Sequence, residues 1–138
     1  RIPTPEKPWS WAEFRRITER LSGGGKYGVA WPLKEPVSAT LNLSLSAGGR
    51  LFHRGPDGKV TVRFEAADRT VPRTIHDQVN TDKSASSTTL GMGGSDTLPG
   101  FFGGKYAMVP LGFSYRQQIA QQAPEGFSWK VLPAPGCA

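Results

Sequence analysis

Apolar and polar positions in residues 10–21 repeat with the period of an α-helix. Trp11, Phe14, Ile17 and Leu21 fall on one helical face. The Ser10-Trp11-Ala12-Glu13 sequence has the form of a capping box, and three consecutive glycines follow the last apolar position. The pattern therefore predicts an amphipathic helix with a defined start and end.

Two segments further along have the pattern of strands. Residues 27–31 (YGVAW) form a short apolar run that predicts a buried strand. Residues 51–53 and 59–64 flank Gly-Pro-Asp-Gly, which predicts a β-hairpin. Val60, Val62 and Phe64 alternate with polar residues, so the hairpin is expected to bury one face.

Residues 37–47 allow two interpretations. Val, Ala and Leu alternate strictly with Ser, Thr and Asn, and this period of two favours a strand. Pro36 near the start and Gly48-Gly49 at the end suit a helix equally well. The residues alone leave both interpretations open.

In the second half of the chain, helical and extended patterns alternate. We expect helices over about 71–79, from Ser95 or Asp96 to Phe102, and over 114–123. Strands are expected over 106–111 and 127–132. The Ser/Thr/Gly-rich residues 83–95 are expected to form a flexible surface loop. Strands alternating with helices, apart from the one hairpin, indicate an α/β class. The 138 residues form a single domain in this interpretation.

Composition and charge exclude several classes of function. The chain has 17 Gly and 12 Pro, so it is globular but rich in loops. The net charge is +6, but the basic residues are scattered and interleaved with acidic ones, and no nucleic-acid partner is expected. No run of about 18 apolar residues is present. One cysteine, Cys137, excludes an internal disulfide framework. Because the chain begins at Arg1, we expect a processed protein or a piece of a longer one.

The sequence offers little support for catalysis or for a bound cofactor. Residues 23–28 match G-x-G-x-x-G, but they follow a predicted helix and open a strand, the reverse of a dinucleotide site. His53, His76 and Cys137 show no spacing typical of metal ligands. No G-x-S-x-G sequence marks a nucleophilic serine. We therefore predict a non-enzymatic protein without a cofactor or metal.

Aromatic residues at strand ends are a better indication of function. Trp31 ends a predicted strand, and Tyr115 lies in the turn that follows another. Ligands of open α/β sheets bind beyond the carboxyl ends of the strands. A ring at such a position can stack on a sugar or a base, although packing at a layer edge explains each ring equally well.

The order of several motifs resembles the sugar-type extracellular solute-binding proteins of ABC importers, a family that also includes glycerol-phosphate binders. The resemblance rests on PWSWAEF, YGVAWP, SAGGRLF-x₅-GKV (46–60), FFGGKYAMVPLG (101–112) and YRQQIAQQAPEGFSWKVLPAPG (115–136). These motifs cover nearly the whole chain in the family's order. They match only most of the second of the family's two lobes.

The resemblance implies a single lobe of a periplasmic-binding-protein-like (type II) fold, a mixed sheet flanked by helices with one hairpin. It also implies that residues 36–48 are helical. The chain departs from the family's Gly-Pro-Trp turn, because Gly112-Phe113-Ser114 stands there, with Tyr115 next. The family's stacking Trp is therefore absent from its usual place, and Tyr115 is the candidate to replace it.

The function implied is capture of a sugar or a glycerol-phosphate-like solute in a cleft between lobes, outside the cytoplasm. The membrane permease of an ABC importer would be the partner. The expected cleft residues are Trp31 and Tyr115, which would stack, and Asn42, Ser46 and Ser114, which would hydrogen-bond the solute. An isolated lobe would expose a surface that can self-associate. The alternative is a free-standing lobe that binds a protein or a glycan.

Overall fold

The computed structural model describes residues 8–136, apart from the side chains of residues 38 and 39. The helices are α1 (Trp11–Arg20), α2 (Asn42–Ser46), α3 (Thr70–Asn80), α4 (Leu98–Phe102) and α5 (Tyr115–Gln122). The strands are β1 (Tyr27–Val29), β2 (Phe52–Arg54), β3 (Val60–Val62) and β4 (Tyr106–Met108). A π-helical turn (Val37–Leu41) leads into α2, and 3₁₀ turns cover Ala67–Arg69, Ser87–Gly91 and Ser95–Thr97.

The strands form two small separate sheets. β1 and β4 are parallel, with Tyr27 beside Tyr106 and Val29 beside Met108, and Val29 also forms a bridge to Ala85. β2 and β3 form the predicted antiparallel hairpin. Helices and parallel strands alternate along the chain, so the α/β class is confirmed.

The capping box at the start of α1 is present as predicted. The Ser10 hydroxyl accepts a hydrogen bond from the Glu13 backbone N–H at 3.1 Å, and the Glu13 carboxylate accepts one from the Ser10 backbone N–H at 2.8 Å. The bonds from the Ser10 backbone N–H and then from its hydroxyl hold the pKa of Glu13 below its usual value. These contacts satisfy backbone donors that a helix start leaves open.

The core lies between α1, β1 and α3 and is rich in aromatic rings. Phe14 packs edge to face against Trp9, Trp11 and Trp31, with ring centroids 5.5, 5.7 and 6.0 Å apart. Val71 and Ile75 of α3 belong to the same core. The predicted helix around residues 71–79 is thus confirmed, and it packs through Ile75 as its pattern indicated.

The segment from residue 37 to residue 46 is helical, first as the π-helical turn and then as α2, so the strand interpretation of its alternating pattern is wrong. The hydroxyls that create the alternation bond back along a helix. Thr40 donates to the Pro36 carbonyl, and Ser46 donates to the Leu43 carbonyl at 2.7 Å. Such bonds to carbonyls three or four residues back are compatible with helical geometry.

The prediction of a surface loop over residues 83–95 is wrong for its centre. Ser84, Ala85, Ser86 and Thr89 are buried, and residues 87–91 form a 3₁₀ turn. Burial is possible because backbone and hydroxyl groups here have partners. The N–H groups of Ser84 and Ala85 both donate to the Gln78 carbonyl, at 2.9 and 3.1 Å.

The hairpin's predicted buried face is exposed. Val60, Val62 and Phe64 are 62, 66 and 54% exposed. Val60 and Val62 lie on the opposite side of the hairpin from His53, which is half-buried. The alternation was interpreted correctly as a strand, but the structure contains no element that covers this face in the described part of the chain.

Residues 127–132 form no strand, and this prediction is wrong. Three separate hydrogen bonds hold the segment from 133 to 136 instead. Trp9 Nε1 donates to the Pro133 carbonyl at 2.8 Å, Ser46 Oγ donates to the Pro135 carbonyl at 2.8 Å, and Gly136 N–H donates to the Trp9 carbonyl at 2.9 Å. Pro133 and Pro135 have no backbone N–H, so they cannot donate the hydrogen bonds that a continued strand would require.

Candidate functional site

An apolar groove of about 420 Å³ lies beyond the carboxyl end of β4. The chain after β4, the start of α1, α2, α5 and the segment 129–135 form its walls. Its aromatic lining consists of Trp9, Trp11, Phe14, Trp31, Phe101, Phe113, Tyr115 and Trp129. All four tryptophans of the chain therefore lie around one groove.

The turn from β4 into α5 presents an aromatic ring at this groove. β4 ends at Met108, and Pro110 cannot continue its hydrogen-bond ladder. The Tyr115 N–H donates to the Gly112 carbonyl at 3.0 Å and closes the turn. Phe113 in this turn is 75% exposed, and the Arg116 guanidinium lies 5.8 Å from its ring centroid. This cation–π contact supports the ring at the edge of the groove.

Few polar side chains accompany the rings. Asn42 and Tyr115 line the groove and carry an amide and a hydroxyl. The charged lining residues are Arg116 and Lys130, and no carboxylate is among the lining residues of the described chain. Glu35 lies in a small adjoining recess that shares Tyr115 with the groove. The groove can thus offer flat apolar contact and mainly hydrogen-bond donors.

Trp11 adds a buried donor to this wall. Its side chain lines the groove, and its Nε1 atom is buried without a hydrogen-bond partner in the part of the chain that the structure describes. A buried N–H without a partner costs about 1–3 kcal/mol. A ligand oxygen that reached this atom would recover that free energy.

Trp31 does not present a stacking face, contrary to expectation. The residue lines the groove but is fully buried. Its Nε1 donates to Gln78 Oε1 at 2.7 Å, and its ring packs edge to face on Phe14. Because both ends of the side chain are held by the core, the ring supports the groove from below.

The predicted serines do not line the groove. Ser46 donates to the backbone carbonyls of Leu43 and Pro135, so its hydroxyl proton is engaged in joining α2 to the C-terminal segment. Ser114 is exposed at the start of α5. The structure therefore brings Trp31, Asn42 and Tyr115 together and leaves Ser46 and Ser114 outside.

Sequence reasoning missed Phe113, Arg116, Trp129 and Lys130 as groove residues. One signal for Phe113 exists in the sequence: it stands between Gly112 and Ser114, outside any apolar periodic face, directly after a predicted strand. No comparable signal marks Trp129 or Lys130, which reach the groove only because the chain folds back after α5.

Within residues 8–136, no three His, Cys, Asp or Glu side chains are grouped closely enough to hold a metal ion. Cys137 lies outside this range. Among the described helices, none combines the length and the apolar character required to cross a bilayer.

The comparisons with known proteins identify a relative by sequence and a solved structure with a similar fold. No family model matches the chain. A Streptomyces antibioticus protein described as an uncharacterized lipoprotein in the oleD 5′ region is 74% identical over an alignment of 139 positions, which covers all of this chain and 31% of that protein. The chain therefore spans about a third of the relative's length.

The structural similarity is to an ABC substrate-binding protein from Listeria monocytogenes in complex with cycloalternan. It covers 89% of this chain and 31% of that protein, with a TM-score of 0.66 and 19% sequence identity. At this identity the similarity concerns the fold alone. The chain thus shares the α/β fold of about a third of that protein.

Proposed function

We propose that this chain is part of the substrate-binding component of an ABC importer and that its groove forms one wall of a cleft for a carbohydrate or a related polar solute. The observation that carries the proposal is the aromatic groove beyond the carboxyl end of β4. The fold of a substrate-binding protein supports it. The structural relative was solved with a saccharide, cycloalternan.

The chemistry of the groove suits a saccharide. A pyranose ring has apolar C–H faces and a polar rim, so binding sites combine aromatic rings with a few oriented polar groups. Phe113 would supply the exposed ring, steadied by Arg116. The Asn42 amide and the Tyr115 hydroxyl would bond sugar hydroxyls, and Trp11 Nε1 is a further donor.

The other wall would come from a second lobe, and the two lobes would close on the solute by a hinge motion. The permease of the importer would accept the closed form. The lipoprotein name of the relative supports a location outside the cytoplasm, at the cell surface. The chain described here would offer only half of the contacts, so we expect its own affinity for a solute to be on the order of millimolar or weaker.

Tryptophan fluorescence tests the proposal directly, because all four tryptophans line the groove. The protein as its host produces it would be titrated with neutral saccharides, uronic acids and glycerol 3-phosphate. We expect a saturable change with at least one of them and, for Phe113→Ala, at least fivefold weaker binding, since an aromatic contact of this size contributes about 1 kcal/mol.

Phe64→Ala is the matched control, because Phe64 is also more than half exposed but lies on the hairpin. It should leave the affinity unchanged. A saccharide that binds both variants with equal affinity would contradict the role of Phe113. The absence of any fluorescence change across the panel would contradict the proposed function.

The intact mass of the host's protein separates this proposal from the free-standing module. A mass about three times the 14.9 kDa of this chain would match the relative's length. A mass near 14.9 kDa would favour the module that binds a protein or a glycan, and transport would lose its support.

A further inference from the structure

The hairpin of β2 and β3 carries its apolar residues on one outward face. Phe52 lies opposite Val62, and Arg54 lies opposite Val60, so these four side chains project to the same side. His53 and Thr61 form the pair between them and project to the other side. We call the surface of Phe52, Arg54, Val60 and Val62 the hairpin face.

The hairpin face is open to solvent to an unusual degree. Phe52, Val60 and Val62 are 62, 62 and 66% exposed, and Phe64, two residues beyond Val62, is 54% exposed. A short two-stranded ribbon normally buries such residues against a third element. A contiguous exposed apolar surface of this kind marks an interaction site.

Positive charge lies on both sides of the hairpin, because Arg54 belongs to the hairpin face and Arg63 falls on the opposite side, between Val62 and Phe64. Arg50, Arg54 and Arg63 are exposed and form no ion pair with any described residue. Residues 50–65 contain four basic side chains and two acidic ones, Asp57 and Glu65, and Asp57 lies 3.7 Å from the Lys59 ammonium. The uncompensated charge of the hairpin is therefore positive, and its complement is an anionic surface.

The shape of the face favours a lipid surface over a protein. Hot spots between proteins seat large side chains in pockets. The groove and its adjoining recess both lie away from the hairpin, since neither includes a hairpin residue. A bilayer interface requires no matching shape: apolar side chains enter the acyl boundary, and arginines stay with the headgroups.

We propose that the hairpin face docks on an anionic lipid surface, with Phe52, Val60 and Val62 entering the interface and Arg54, with Arg50 nearby, contacting the headgroups. The proposal is independent of the groove and of the solute. Docking of the hairpin face would orient this part of the protein relative to a membrane.

Vesicle sedimentation tests this docking. The whole protein, purified without a lipid anchor, would be mixed with vesicles of phosphatidylglycerol and phosphatidylcholine in equal parts, or of phosphatidylcholine alone. We expect binding to the mixed vesicles only, and weaker binding in 0.5 M salt because salt screens the arginines. Arg54→Gln should weaken binding about fivefold, and the Val60→Thr, Val62→Thr double variant at least tenfold.

Two controls remove the same groups elsewhere. Arg20→Gln removes an exposed arginine of α1 that has no ion pair among the described residues, and Val37→Thr removes a valine that is 66% exposed and lies outside both the groove and the hairpin. Both should bind mixed vesicles as the unchanged protein does. Thr keeps the strand preference of Val, so the hairpin variants should retain the circular dichroism spectrum of the fold.

Four results would overturn the proposal. They are no binding to mixed vesicles, equal binding to phosphatidylcholine alone, hairpin variants that bind like the unchanged protein, and controls that weaken binding as much as the hairpin variants do. Displacement from vesicles by polyglutamate at equal charge would also overturn the lipid assignment and point to an acidic protein partner.

Discussion

The serine- and threonine-rich residues 84–89 and the valine-rich hairpin occupy opposite places in this molecule. Ser84 and Thr89 are completely buried beside the aromatic core, whereas Val60 and Val62 are more than 60% exposed. Hydrophobicity alone therefore does not determine which of them lies inside.

The hydrogen bonds of each segment explain the difference. Thr89 Oγ1 accepts a bond from the Trp31 N–H at 3.0 Å and donates to the Ser86 carbonyl at 2.7 Å, and the Val29 N–H donates to the Ser84 carbonyl at 3.2 Å. Small hydroxyl residues with satisfied partners can be buried at little cost. The hairpin strands hydrogen-bond to each other. The paired backbone groups therefore need no hydrogen-bond partner from the rest of the chain.

The largest effect should come from Gln78, which joins the buried segment to the core. Gln78 is fully buried, accepts from Trp31 Nε1 and donates to Thr18 Oγ1 at 2.9 Å. Gln78→Leu would leave both partners buried without it, and we expect a loss of about 3 kcal/mol in the free energy of unfolding. Urea denaturation measures it. Gln121→Leu, on an exposed position, is the control, and a loss below about 1 kcal/mol would show that the network is dispensable.

Thr89→Val should have the next largest effect. The substitution keeps the shape but removes the acceptor of the buried Trp31 N–H. We expect a loss of about 2 kcal/mol. Thr88→Val, at an exposed neighbouring position, should change stability by less than about 0.5 kcal/mol in the same denaturation experiment. Equal effects of the two variants would contradict the argument from hydrogen bonds.

Acid should weaken the contact between α1 and the end of α3. Arg15 donates to Asp82 through Nε and Nη2, at 2.5 and 2.6 Å, and to Asp77 at 2.8 Å. The bond from Arg15 lowers the pKa of Asp82. A folded-state pKa below the unfolded value, about 3.9, gives stability that is present above about pH 4 and is lost as pH falls through the folded pKa.

We expect this loss to be about 1 kcal/mol, because the Arg15 side chain is 35% exposed and water screens its charge. Melting temperatures measured between pH 6 and pH 2.5 would show it. Asp82→Asn should reduce the fall in melting temperature at acid pH, whereas Asp57→Asn on the hairpin should leave that fall unchanged. If the melting temperature of Asp82→Asn falls at acid pH as much as that of the unchanged protein, the loss of stability comes from other carboxylates.

The smallest effect should come from the hairpin. Val60→Thr combined with Val62→Thr should change the free energy of unfolding by less than about 0.5 kcal/mol per site, because both side chains are already in water. The same urea experiment measures it. A loss above about 2 kcal/mol for the pair would mean that another part of the protein covers the hairpin face.

Local patterns determined much of the fold. α1 was predictable because its caps and its apolar stripe lie within a dozen neighbouring residues, and the hairpin was predictable because its turn sequence favours one local geometry. The order of motifs also placed the chain in the correct fold, including the helical segment of residues 37–46 that alternation alone assigned wrongly. α1 and the hairpin depend on contacts between residues that are close in sequence. The match to the fold depends on the order of motifs along the whole chain.

The candidate site was only partly predictable. Asn42 and Tyr115 line the groove, and their binding of a solute stays a prediction. Ser46 is engaged by the Pro135 carbonyl, 89 residues away, and Trp31 by Gln78, 47 residues away. Trp129 and Lys130 reach the groove through the return of the chain after α5.

The sequence by itself determined where α1, α3 and the hairpin turn form, because caps, glycines and periodicity act over a few residues. Only the tertiary structure decided which faces are buried and which polar groups are free. Burial depends on whether a distant segment supplies a covering surface or a hydrogen-bond partner, and neither is visible in the pattern of the segment itself.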